Sequence, residues 1–187
     1  MQLPSGILPN DSDIELFANP DEFGKCYFIQ NGQTKPFHEL PVSTITKLHS
    51  ECFTDIKAVK GLNYMGVKPE SMVEQYNYCN RGRLDGIPDI TSSGNLTKEF
   101  VDCGRHGKNC PGEGLVCKLE FDGVKITHRE LQCLKSNGEG KDYQQIQSDM
   151  GFRNVTAVNS LITRCKDKFN VSTKSQLLIK TIQLGII

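Results

Sequence analysis

The chain has no excess of charge of either sign. Its 187 residues include 22 basic and 22 acidic side chains, so whole-chain electrostatics select neither a polyanion nor a basic partner. No apolar run approaches the ~18 residues that a membrane span requires. The first residues, MQLPSGILPNDSDIELF, carry neither the basic nor the apolar stretch of a secretory leader. Together these absences predict a soluble, cytoplasmic protein with no membrane partner. Catalytic signatures are missing as well: there is no nucleophile elbow, no H-E-x-x-H pair and no phosphate-binding glycine loop. The expectation is a protein that is not an enzyme. No internal repeat or low-complexity tract interrupts the chain.

What is present is unevenly distributed. Residues 1–117 hold 11 Lys+Arg against 15 Asp+Glu, whereas residues 118–187 hold 11 against 7, so only the C-terminal part leans towards a polyanion. Near the N-terminus, CYFIQNGQTKPF places Asn31-Gly32 between two apolar stretches and predicts a tight-turned hairpin over residues 26–38. The spacing of Ile45, Leu48, Cys52, Ile56 and Val59 predicts one amphipathic helix capped near Ser43 or Thr44 and ended by Gly61 or Gly66. A shorter helix from Pro69 to about Tyr78 follows, with Met72, Val73 and Tyr76 on one face. From Cys79 to Cys117 the helical period disappears among glycines and prolines, and the segment is expected to bury little apolar surface.

The last 62 residues carry their stops and starts in plain view. Thr127 with Glu130 forms an S/T-x-x-E capping box before Leu131 and Leu134, and Asp142 with Gln145 repeats the device before Ile146 and Met150. A third helix opens near Asn154, with Val158, Ile162, Cys165 and Phe169 as one buried stripe. Ser172 is expected to cap a fourth helix whose apolar side carries Leu177, Leu178 and Ile182. Two short helices joined by a tight glycine-containing turn, the second with small polar and basic residues outward, describe a helix-turn-helix.

This segment resembles the DNA-binding domain of the LuxR type of bacterial transcription regulators. The T-x-R-E opening of that family is matched by Thr127, Arg129 and Glu130. Cys133 and Leu134 match an apolar pair, Gly140 a glycine and Ile146 an isoleucine, and the ending FNVSTKSQLLIKTIQLGII resembles the closing stretch of the family. The sequence departs from the pattern at Gln147, where an alanine is usual, and at Asn159, where a lysine is common. The resemblance implies that the third helix enters the major groove of double-stranded DNA, that the fourth contributes to a homodimer, and that the protein regulates transcription. Asn159, Ser160, Thr163, Arg164 and Thr156 then become candidates for base edges, because Asn pairs with adenine and Ser or Thr accept several edges. Lys141, Lys166 and Lys168 become candidates for phosphates. The competing readings are a protein-binding module that uses the same helices to grip RNA polymerase or another regulator, and a metal or redox sensor centred on an iron-sulfur cluster.

The eight cysteines of a cytoplasmic protein read as metal ligands or small core residues rather than disulfides. Cys52, Cys133 and Cys165 fall on inner helical faces, and Cys26 falls in the hairpin. Cys79, Cys103, Cys110 and Cys117 form C-x23-C-x6-C-x6-C within the glycine-rich segment. They are candidate ligands for a structural Zn2+, for an iron-sulfur cluster, or remain free thiols. The expected fold class is α+β: a small N-terminal α+β domain (1–78), a cysteine-rich metal-knuckle segment (79–118) and a C-terminal four-helix helix-turn-helix domain (119–187).

Overall fold

In the computed structural model, residues 3–19, 21–106, 109–117 and 119–187 are described. The fold class is mixed α+β, and the chain separates into two units, Met1–Lys118 and Leu119–Ile187.

The first unit is built on an antiparallel sheet of β1 (Glu15–Ala18), β2 (Cys26–Gln30) and β3 (Gln33–Pro36), in that order. Asn31 and Gly32 close the β2–β3 hairpin at φ 51° and 73°, the positive values that a two-residue turn needs to match strand twist. Leu16, Cys26 and Phe28 point into the core.

The single helix expected after the sheet is two helices, α1 (Val42–Thr54) and α2 (Ile56–Tyr64). Asp55 leaves the helical region at φ −85°, ψ 82°, and its carboxylate accepts from the Ala58 amide at 3.1 Å, which caps α2. This break turns Ile56 out to solvent, 80% exposed, while Leu48 and Cys52 stay buried. Ser43 and Thr44 lie inside the first turn of α1 rather than capping it, and Gly61 lies within α2. A 3-10 turn at Pro69–Ser71 leads into α3 (Met72–Arg81), which runs past Tyr78 and takes in Cys79. From Gln75 to Arg81 every side chain of α3 is buried. Arg81 is fully enclosed and held by Asn77 Oδ1 at 2.9 Å and by Glu51 at 2.8 Å.

Among the described residues, the segment beyond α3 carries no helix or strand before Glu120, but contrary to expectation it has a core. Ile90 bridges Ile14 and Leu96, and Ile90, Phe100, Val101 and Val116 are buried. Its backbone partners are carboxyls. Asp89 accepts from the Leu16 amide at 2.8 Å, Glu15 from that of Asp85 at 2.7 Å, and Glu99 from that of Arg83 at 2.7 Å. Burial pushes Glu15 and Glu99 up to about 8 and Asp89 up to about 9, against the pull of these amide donors.

The second unit begins with an unforeseen hairpin, β4 (Glu120–Phe121) and β5 (Val124–Lys125), turned at Asp122-Gly123 with φ 52° and 75°. Four helices follow: α4 (His128–Gly138), α5 (Tyr143–Asp149), α6 (Val155–Lys168) and α7 (Lys174–Gln183). Thr127 with Glu130 and Asp142 with Gln145 form complete capping boxes, and Asn154 caps α6. The last cap is Thr173 with Gln176, one residue beyond the expected Ser172. Leu131, Leu134, Ile146, Val158, Ile162, Cys165 and Leu177 form the interior. Ile182, expected on the inner side, is 57% exposed, and Thr181 takes the buried position. Among the described residues no helix is long and apolar enough to cross a membrane.

Candidate functional site

Two places in the molecule concentrate chemistry, one in each unit. In the second unit, α5 and α6 are joined by a tight turn through Gly151 at φ 65°. Gln147 clasps this turn: its side-chain amide donates to the Phe152 carbonyl at 3.1 Å, and its own carbonyl accepts from the Phe152 amide at 3.0 Å. Arg129 of the T-x-R-E stretch lies 5.5 Å from the Phe152 ring centre, a cation–π contact that ties α4 to the same turn. Gln147 thus has a local structural use in this turn.

The α6 stripe of Val158, Leu161, Ile162 and Cys165 is buried, so the opposite face is presented to solvent. Thr156, Asn159, Ser160, Thr163 and Arg164 are all exposed on it, at the three- and four-residue spacing that stacks side chains along one helical face. The Ser160 hydroxyl donates to the Thr156 carbonyl at 2.9 Å, which leaves its oxygen as an acceptor outward. Arg164 Nε donates to the Ser160 carbonyl at 3.4 Å, with the rest of the guanidinium as further donors.

The three candidate phosphate lysines have other engagements. Lys141 bridges Glu139 at 3.0 Å and Asp149 at 2.9 Å, and Lys166 donates to the Ser172 carbonyl at 3.4 Å. Lys168 is committed to the fold, pairing with the buried Glu130 at 2.7 Å and donating to the Lys125 carbonyl at 3.1 Å. Arg153, exposed just before the Asn154 cap, is a basic group the sequence reading missed. Its signal was its position beside the N-terminus of α6, where anions are favoured.

In the first unit, Cys79, Cys103, Cys110 and Cys117 line one small cavity together with His106 and apolar walls that include Phe23, Met65 and Val101. Cys79 comes from the last turn of α3, and Gln75 one turn earlier donates to its sulfur at 3.4 Å. The other three come from the irregular segment, in which Val116 and the buried Gly112 turn Cys110 and Cys117 back towards α3 through the Val116 amide to Gly112 carbonyl bond of 2.7 Å. Gly61 of α2 permits this approach, because a Cβ there would meet Leu115 Cβ at 2.7 Å and Val116 Cγ2 at 2.8 Å.

Burial, reinforced by the neighbouring thiols, pushes Cys79 and Cys117 up to about 12. Burial acts upward on Cys103, but its hydrogen bonds with the His106 side chain and the Arg105 backbone, together with the His106 charge, outweigh this and hold it below the ordinary thiol value. Among the described residues, no group of three or more His, Cys, Asp or Glu side chains stands ready-made around an ion. The remaining cysteines, Cys26, Cys52, Cys133 and Cys165, are buried and do not line this cavity.

Compared with known protein families, curated proteins and solved structures, the chain returns no match. What either site does follows from its own residues.

Proposed function

We propose that residues 119–187 bind double-stranded DNA sequence-specifically through the exposed face of α6 and that the chain is a transcription regulator of the LuxR-like kind. The observation that carries this reading is the division of α6 into a fully packed stripe and an opposite face of Thr156, Asn159, Ser160, Thr163 and Arg164. Packing fixes the helix axis, and the outward groups are donors and acceptors of the kind that read base edges. Lys166, Arg153 and Arg164 supply positive charge around that face. Lys168 acts instead through Glu130, holding the end of α6 to the start of α4.

Duplex binding measured over a salt series tests the reading, since phosphate neutralisation releases counterions and gives a steep negative slope of log affinity against log salt. Asn159→Ala is expected to cost ~1 to 3 kcal/mol at a selected site and to leave binding to random duplex almost unchanged. Equal losses on both duplexes remove Asn159 from base reading. Salt-independent binding, or none, favours the protein-gripping alternative.

A further inference from the structure

We infer that Cys79, Cys103, Cys110 and Cys117 hold one Zn2+ as a closed four-thiolate site, with His106 beside the metal rather than on it. The four sulfurs come from positions 38 residues apart at the extremes, and the fold nonetheless brings them to one cavity. Four further cysteines are spread through both units and none lines that cavity, so the convergence belongs to this set and not to cysteine content in general.

The cavity has a volume of about 10 Å³, the room of a single water-sized sphere, which suits one ion. The rest of the lining is chiefly apolar, as a structural site closed to water requires. His106 is already occupied on one side: its Nε2 donates to the Val101 carbonyl at 3.0 Å and its ring packs on Phe100. On the other it hydrogen-bonds Cys103. A histidine that bonds a ligating sulfur orients that ligand from the second layer around the metal. The thiols are gathered without being drawn to coordination distance. Side-chain rotation about Cα–Cβ and small loop shifts complete the site as the ion displaces the thiol protons to solvent, which is how metal binding adds to folding. The ion then fastens the loop around Cys110 and Cys117 to the end of α3.

The test uses the intact chain, purified under reducing conditions, loaded with Zn2+ and passed through gel filtration. One equivalent of zinc should stay bound, and X-ray absorption should show four sulfurs at ~2.3 Å and no nitrogen at ~2.0 to 2.1 Å. Cys110→Ser should lose the ion on the column and Cys52→Ser should keep it. His106→Gln should keep it with affinity weakened ~10- to 100-fold. Wild-type chain that retains no zinc, a nitrogen in the coordination shell, a bound iron chromophore after purification, or full retention by Cys110→Ser would each overturn the assignment. The absorption measurement is made on wild type, so a misfolded variant cannot imitate the result. No arm involves DNA, so the site stands or falls independently of DNA binding.

Discussion

Glu130 is the residue whose removal should most directly disturb the geometry of α6. It is only 1% exposed, and one of its oxygens serves two donors, the Thr127 amide at 2.7 Å and the Lys168 ammonium at 2.7 Å. Glu130→Ala removes half of a capping box, a loss of about 1 kcal/mol. It also removes an ion pair whose lysine is 35% exposed, so screening limits that part to ~1 kcal/mol or less. Lys168 keeps its bond to the Lys125 carbonyl, which spares the cost of a stranded charge. The expected sum is ~2 kcal/mol, and Glu130→Gln, which preserves an acceptor for the Thr127 amide, should cost about half as much. Native-state hydrogen exchange in the intact chain reads this locally: amides of α4 and α6 that open with the unit, such as Leu131 and Phe169, should exchange about 30-fold faster in the alanine variant. Burial opposes the charge of Glu130, but the Lys168 and Thr127 hydrogen bonds outweigh it and hold the carboxyl below 4.5. A depressed folded-state value makes the contribution complete above that pH and lost as pH falls through the folded value. Wild type and variant should therefore converge in acid. A difference under about 0.5 kcal/mol at neutral pH, a typical surface effect, or a glutamine variant as damaged as alanine, would refute the account.

The buried carboxyls of the first unit give the opposite pH trend: Glu15 and Glu99 are raised to about 8 and Asp89 to about 9, so the folded state keeps protons that the unfolded state has released. Stability of that unit should fall from about pH 5 to pH 9, by at most ~1.4 kcal/mol per pH unit for each such proton, and a urea midpoint that is flat or rising over this range contradicts it. On α7, Ile179 and Ile182 are 56% and 57% exposed, and Ile182→Lys should leave folding within about 0.5 kcal/mol while weakening self-association in sedimentation. A wild-type chain that is monomeric at all accessible concentrations removes the dimer contact.

The helical unit was legible because its signals are local. Thr127, Asp142 and Asn154 each sit three residues before the amide they cap, and the α6 stripe repeats at helical spacing. The departures there are small: Thr173, with Gln176 three residues on, caps α7 in place of Ser172, and Thr181 displaces Ile182 from the core. The β4–β5 hairpin carried its Asp122-Gly123 turn signal, but strands of two residues each are too short to show alternation. In the first unit the pattern fails for a physical reason. Glu15, Asp89 and Arg81 are buried, and a charged letter reads as surface until its partner is known. The break at Asp55 was likewise hidden, because an apolar period running through a helix and one shared between two helices look alike unless the capping side chain is noticed.

The cysteine set shows where sequence and tertiary structure each supply something. Spacing alone singled out Cys79, Cys103, Cys110 and Cys117, but assigned them to a segment thought to have no core of its own. In the fold, Cys79 belongs to α3, the most enclosed helix of the first unit, and Val101 and Val116 beside the other three are buried. An ion bound there would therefore not be a replacement for a core, as a coreless segment would need. It would act on a loop that is already partly packed, and its contribution should be smaller than the roughly 10 kcal/mol of a zinc-dependent mini-domain. The first unit should then stay folded when the metal is removed, with the loss confined to the loop that Cys110 and Cys117 hold against α3.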